Sequence, residues 1–201
     1  MSLLPKLYLA SASPRRKQIL ESLGLTFEVI QPRTNEIDPP SSSVDEGVIH
    51  NARVKADAGL KMMTSQPAII IAADTLVVLE NNVLGKPSDS AEAITMLSQL
   101  SGKKHRVVTG LVLRDSSGHE RVSAVSSYVK FRKLSLTEIK EYTLTKEPYD
   151  KAGSYAIQGL GAVFIDEIQG SYTNIMGFPV EHFLKELPLL TQIPAYQWFL
   201  P

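Results

Sequence analysis

Residues 68–79 read AIIIAADTLVVL. Aliphatic side chains dominate the run, many of them β-branched, and it is too short to cross a bilayer. It therefore reads as a buried strand, interrupted by Asp74 and Thr75. A carboxylate taken out of water is costly without a partner, so a metal, a cation or a hydrogen-bond network is expected beside Asp74. Two readings fit that expectation. One is a partner-satisfied aspartate at a strand end or bulge, and the other is a metal ligand or general base.

The segments around this strand carry their own signals. KLYLAS (6–11) and TFEVIQP (26–32) read as short strands. Between them, Ser13 as cap, Pro14 at the first helical position and Gly24 beyond the end frame a helix with Ile19, Leu20 and Leu23 inward. Ser43 and Glu46 have the spacing of a capping box for a helix whose apolar face holds Ile49, Ala52, Ala56 and Leu60. Asn81–Asn82 suits a tight turn, and a helix follows from about Asp89 to a stop at Gly102. RVVTGLVLRD and ERVSAVSSYVKF are joined by a Ser/Gly turn and read as a hairpin. Ser135 and Glu138 predict a second capping box, GAVFIDEI (161–168) predicts a strand, and Pro179 opens a last helix with Val180, Phe183, Leu184 and Leu187 inward. Helices interspersed with buried strands give an α/β fold built on one long sheet, with no convincing linker inside residues 1–201. The tail IPAYQWFLP, within 190–201, has no placement from pattern alone.

Composition narrows the function. Lys+Arg and Asp+Glu are both 21, so the net charge is +0 and the chain as a whole has no electrostatic reason to seek nucleic acid or an anionic membrane. Any anion site must be local. Cysteine is absent, which excludes disulfides, thiolate metal sites and a cysteine nucleophile. A cytoplasmic setting is expected, since neither a leader nor a membrane-length apolar run is evident. No phosphate-binding loop of the Walker type, no HExxH and no GxSxG is present, and the four histidines lack ligand-like spacing.

LASASPRR (9–16) is the sharpest local anomaly. Arg15 and Arg16 fall in the first turn of the helix, where the free N–H groups already make that end electropositive. An anion held by N–H, hydroxyl and guanidinium donors would explain them; so would two arginines reaching into solvent. LGKPSD places Lys86 in a loop after the strand pair, and Lys55 lies on a helix; either residue type is usually solvated in such places. Glu36, in TNEID, is one of many loop acids. Across DKAGSYAIQG and GSYTNIMGFP the glycines permit close backbone approach to a ligand, and Gln158 offers a donor and an acceptor to a base edge. Tight turns explain the same glycines. Together these residues form a kit suited to a nucleoside triphosphate, with cations to offset its charge and acids for a divalent ion.

LYLASASPRRKQIL, AADTLVVLENNVLGKP, DKAGSYAIQG and GSYTNIMGFP, in that order and spacing, resemble the Maf family of nucleotide pyrophosphatases, over residues 6–190. The resemblance implies an elongated mixed sheet with flanking helices, two lobes around a central cleft as in the inosine triphosphate pyrophosphatases, and often a homodimer. It implies hydrolysis of the α–β phosphoanhydride of a nucleoside triphosphate with Mg or Mn, removal of surplus or abnormal nucleotides, and a connection with septum formation. By the same resemblance Ser11, Arg15 and Arg16 are phosphate-binding, Lys55 is a substrate-side lysine, and Glu36 and Asp74 are metal-side acids. Asp74 is also the activator of the attacking water, Lys86 stabilises phosphate charge, and Gln158 lies close to the site. RTNEI departs from relatives that carry further acids just before the Glu36 position. The late motifs are similar to those of the branch acting on dTTP and UTP. The alternatives are a pyrophosphatase for 7-methyl-GTP or modified nucleotides, and a regulator that senses nucleotides without hydrolysing them.

Overall fold

The computed structural model describes residues 4–199. The apolar run forms β3 (Ala68–Leu79), the strand on which the molecule is organised. It pairs in parallel with β1 (Lys6–Ala10), which pairs in parallel with β2 (Phe27–Ile30). On its other side β3 runs antiparallel to β5 (Lys104–Asp115), followed by β6 (Glu120–Phe131) and β7 (Ile165–Gln169), giving the order β2-β1-β3-β5-β6-β7. The short β4 (Asn82–Leu84) also pairs with β3. The result is a mixed sheet with helices on both faces, as the sequence implied.

Alternation along β3 divides the core. Ile69, Ile71 and Ala73 pack with Leu20, Phe178 and Phe183 beneath α1 (Pro14–Ser22) and α6 (Val180–Thr191). Further along the same face, Val77 and Leu79 pack with Leu97, Leu100 and Phe131 beneath α3 (Ser90–Leu100) and α4 (Leu136–Thr143). The opposite face is covered by α2 (Val44–Leu60), whose Ala52 and Ala56 meet Ile70 and Ala72 while Val44 and Val48 meet Leu76 and Val78. Each face thus carries two apolar clusters. Thr75 separates them on one face, and Asp74 separates them on the other.

The edge of β3 is interrupted at the same place. β1 stops pairing at Ala10↔Ala72, and β4 begins at Val77↔Leu84. Residues 73–76 therefore have a ladder partner only on the β5 side, and a cleft opens in the gap.

Most element expectations hold, including the Ser135/Glu138 capping box and the stop at Gly102, whose φ is +70°. Several need correction. Ser43 precedes α2 but makes no side-chain cap, because a 3-10 turn over Ser41–Ser43 leads straight into the helix. Ser13 likewise occupies the cap position of α1 without a side-chain cap bond. The tight turn falls at Glu80–Asn81, one residue earlier than expected, and pairs Leu79 with Asn82. The strand expected over 161–168 begins only at Ile165, since Gly159–Phe164 coils as 3-10 helix. In the tail, Ala195–Trp198 forms a 3-10 turn that buries Trp198 against the cluster of Phe178 and Phe183; 200–201 lie outside the described residues.

Candidate active site

The gap in the sheet edge is the mouth of a cavity of about 560 Å³. Ser11, Arg15, Arg16, Glu36, Lys55, Asp74, Lys86 and Gln158 all line it. The eight residues singled out in the sequence therefore converge on one place.

The α2 face of β3 carries the acids. Asp74 is 6% exposed and opposes Gly110 in the β3–β5 register. A Cβ at Gly110 would lie 2.4 Å from the carbonyl carbon and oxygen of Val48, so glycine is what lets α2 approach the sheet here. That approach delivers two donors one helical turn apart. Lys55 Nζ reaches Asp74 Oδ1 at 2.7 Å, and Asn51 Nδ2 donates to Asp74 Oδ2 at 3.0 Å. Lys55 Nζ also lies 3.0 Å from Glu36 Oε2, so one ammonium joins both acids. Burial by itself raises the Asp74 carboxyl pKa. The Lys55 ammonium, the Lys55 and Asn51 hydrogen bonds and the Arg16 charge outweigh it and leave the pKa below the ordinary carboxylate value. Asp74 is an anion at neutral pH.

Asn51 was not visible as a site residue in the sequence. Its Oδ1 accepts from Ile37 N at 2.9 Å and its Nδ2 donates to Ile37 O at 2.9 Å, fixing the loop that carries Glu36. An asparagine inside an amphipathic helix is ordinarily solvated, and only its four-residue spacing from Lys55 hinted otherwise.

The opposite face carries the cations. Ser11 is buried at the end of β1, and its Oγ accepts from Ser13 N at 3.1 Å, shaping the turn into α1. Arg16 is only 9% exposed. Its Nε donates to Gly177 O at 2.8 Å, its Nη2 to Thr75 Oγ1 at 3.0 Å and its Nη1 more weakly to Ser11 Oγ at 3.4 Å. Among the described residues, all its hydrogen-bond acceptors are neutral, and no carboxylate stands within ion-pair distance. Burial lowers the guanidinium pKa, an effect the Asp74 charge partly offsets, yet an arginine remains cationic. A buried cation lacking a paired anion is costly, and an anionic ligand would relieve it.

Arg15 is half-buried at the mouth, 3.5 Å from Asp150. Lys86 is exposed on a loop stitched to the far wall by Gly153 N→Gly85 O at 3.0 Å. Gln158 is exposed on the rim, where Glu147 organises the following turn by accepting from Leu160 N and Gly161 N. Beside it, Tyr155 lines the cleft and shares a 2.7 Å hydrogen bond with buried His105. Among the described residues, no cluster of three or more metal-ligating side chains occurs, and no helix is long and apolar enough to cross a membrane.

A sheet interrupted beside a buried carboxylate, with a buried arginine on the strand's other face that has no carboxylate within ion-pair distance among the described residues, is an arrangement that can hold an anion close to an acid. The chain belongs to the Maf family: the family model described as Maf-like protein matches residues 6–190. It is similar to a dTTP/UTP pyrophosphatase of Syntrophus aciditrophicus (strain SB), 43% identical over 183 residues, which are 90% of this chain and 88% of that protein. A dTTP/UTP pyrophosphatase of Desulfitobacterium hafniense (strain Y51) is 44% identical over 185 residues, 90% of this chain and 83% of that protein. One of Vibrio vulnificus (strain YJ016) is 42% identical over 175 residues, 87% and 93% of the two chains.

Proposed function

We propose that this chain hydrolyses the α–β phosphoanhydride of dTTP and UTP, releasing the nucleoside monophosphate and diphosphate. The observation that carries the reading is the placement, across one strand, of ionised Asp74 and of Arg16, which has no carboxylate within ion-pair distance among the described residues. The names of the relatives above supply the substrate.

In this reading the triphosphate enters the gap with its negative charge against Arg16, Arg15, Lys86 and the N–H groups at the start of α1, which have no intrahelical partner. Lys55 offsets one of the two acid charges, so they repel the incoming phosphates less than a bare pair would. Asp74 orients a water and accepts its proton as the water oxygen bonds to the α-phosphorus. The bond from that phosphorus to the bridging oxygen breaks, and diphosphate leaves with the electron pair, its charge held by Lys86 and Arg15. Gln158 faces the nucleoside end from the rim.

Glu36 and Asp74 also fit a divalent ion such as Mg²⁺ or Mn²⁺, because their donors are hard carboxylate oxygens and Mg²⁺ commonly takes one or two of these, with phosphate oxygens and water completing its shell. When bound, such an ion would offset charge on the phosphates and on the leaving diphosphate.

Diphosphate release from purified protein, measured against dTTP, UTP, CTP, 7-methyl-GTP and the common purine triphosphates with and without Mg²⁺, tests the reading. Release from dTTP and UTP that is lost in Asp74→Asn is the expected result. Release confined to 7-methyl-GTP would overturn the substrate while keeping the chemistry, and binding without any release would overturn the enzyme.

A further inference from the structure

Arg16 reaches the cleft from the end of a hydrogen-bond circuit, and the circuit continues into residues that no ligand can touch. Thr75 and Thr109 are directly opposed in the β3–β5 register, with their Oγ1 atoms 3.0 Å apart. Thr109 is 0% exposed and does not line the cavity. Its hydroxyl lies 3.1 Å from Asn174 O, a carbonyl that can only accept, so the single Thr109 proton is committed there. The Thr75 hydroxyl must then donate to Thr109 Oγ1. Its own oxygen is left to accept from Arg16 Nη2, at 3.0 Å. No other assignment satisfies all three contacts.

The circuit closes on itself. Asn174 O also accepts from Gly177 N at 2.9 Å, and Gly177 O accepts from Arg16 Nε at 2.8 Å. Gly177 adopts φ +103°, and a Cβ there would stand 3.4 Å from Thr75 Oγ1 and 3.7 Å from Arg16 Nε, so the turn is seated directly on the threonine and the guanidinium. Asn174 is anchored in turn, its Nδ2 donating to Ser127 Oγ at 3.0 Å and to Val107 O at 3.3 Å. Two edges of the guanidinium are thereby fixed by groups whose own donors are already committed.

We infer that Thr109 is a positioning residue for anion binding: through Thr75 and Asn174 O it sets the orientation of the Arg16 guanidinium without ever meeting the ligand. The ligand class is a polyphosphate, and in this respect the inference rests on the reading under Proposed function. A guanidinium binds phosphate well when its donor fork is held in plane, and rotation costs a directional bond while leaving the charge in place. Removing the Thr109 hydroxyl leaves Asn174 O with one donor fewer. It also frees the Thr75 proton, which can then turn away and release Arg16 Nη2.

The test uses the intact chain and inorganic tripolyphosphate, so that anion binding is read without turnover. Calorimetric titration of Thr109→Val, which removes the hydroxyl at nearly constant volume, should show binding weakened about fivefold. Thr109→Ser, which keeps the hydroxyl, should match the parent chain. In an Arg16→Met background the Thr109→Val change should have no further effect, whereas a residue serving only general stability would still weaken binding. For an active enzyme the same variant should raise KM for dTTP by a similar factor and leave kcat nearly unchanged. Should Thr109→Val not fold, Thr109→Cys, with a weaker donor of similar size, is read in its place. Unchanged tripolyphosphate affinity, equal losses in the Ser and Val variants, or an undiminished loss in the Arg16→Met background would each overturn the role. A parent chain that binds tripolyphosphate with this pattern but hydrolyses no nucleotide would sink the proposed reaction and leave the positioning role standing.

Discussion

The two faces of β3 meet the same cleft in opposite electrostatic conditions. On the α2 face, Asp74 and Glu36 share the Lys55 ammonium, and Asn51 satisfies the second oxygen of Asp74. Each acid on that face therefore has a partner without a ligand, although two carboxylates and one ammonium leave one net negative charge. On the other face, Arg16 is also deeply buried but, among the described residues, finds only hydroxyl and carbonyl acceptors. In the proposed function its counter-ion is the incoming anion. Adjacent residues of one strand can be so different because β alternation sends Asp74 and Thr75 to opposite sides, and because the sheet edge is open at 73–76 so that both sides reach one cavity. In the function proposed above, the difference separates two tasks, with chemistry on the face whose acids are paired and anion binding on the face whose arginine is not.

The largest effect should come from the face that carries Asp74. Asp74→Asn is nearly isosteric and should lower kcat by about a hundredfold or more while leaving tripolyphosphate affinity close to that of the parent. If affinity collapsed as well, the two faces would not be separable.

A pH effect belongs to the other face of the sheet. His105 lies among Phe131 and Tyr155, and burial depresses its pKa to about 4. The unfolded chain, with an ordinary histidine pKa near 6.5, takes up this proton first as pH falls. Stability from neutral His105 is therefore fully present above about pH 6.5 and is lost on descending toward pH 4, in total about 3 kcal/mol. Urea unfolding at pH 7 and pH 4.5 should show this loss, and His105→Gln should flatten it. Asp74, whose pKa is lowered, acts in the same direction at lower pH.

Gly110→Ala tests what holds α2 against Asp74. The added methyl meets the Val48 backbone and should cost about 2 kcal/mol in urea unfolding. Turnover should fall more than tripolyphosphate affinity, since Asn51 and Lys55 move and Arg16 does not. Arg16→Lys keeps the charge but loses the fork, and should weaken tripolyphosphate about tenfold by calorimetry. The smallest effect belongs to Asp150→Asn. Its pair with Arg15 is long, and its closer pair with neighbouring Lys151 is made by the same exposed carboxylate, so the melting temperature should move by the equivalent of less than about 1 kcal/mol.

Much of the site was legible because its anomalies violate stability rules locally. A charge inside an aliphatic strand and two arginines at a helix start stand out without any coordinates, whereas Glu36, Lys55, Lys86 and Gln158 came from the resemblance to the Maf family. Asn51, Thr109 and Gly110 did not stand out, because each is ordinary in its own segment and acquires its role only from the β3–β5 register and the approach of α2. The paired arginines also looked equivalent in sequence. One lies half-buried at the mouth and the other is locked beneath Gly177, a distinction made by a residue 161 positions away. Element ends were legible where a local cap decided them, as at Ser135. They were misread where tertiary contacts decided them. The turn after Gln158 is held by Glu147, and Trp198 is placed by the cluster it fills.

The most direct test of the division between the faces is dTTP affinity and diphosphate release measured on the same preparation of Asp74→Asn. Under that division dTTP should bind within a few-fold of the parent chain while release falls by about a hundredfold or more. Affinity and release falling together would contradict it, and would place Asp74 among the groups that hold the nucleotide rather than the one that activates water.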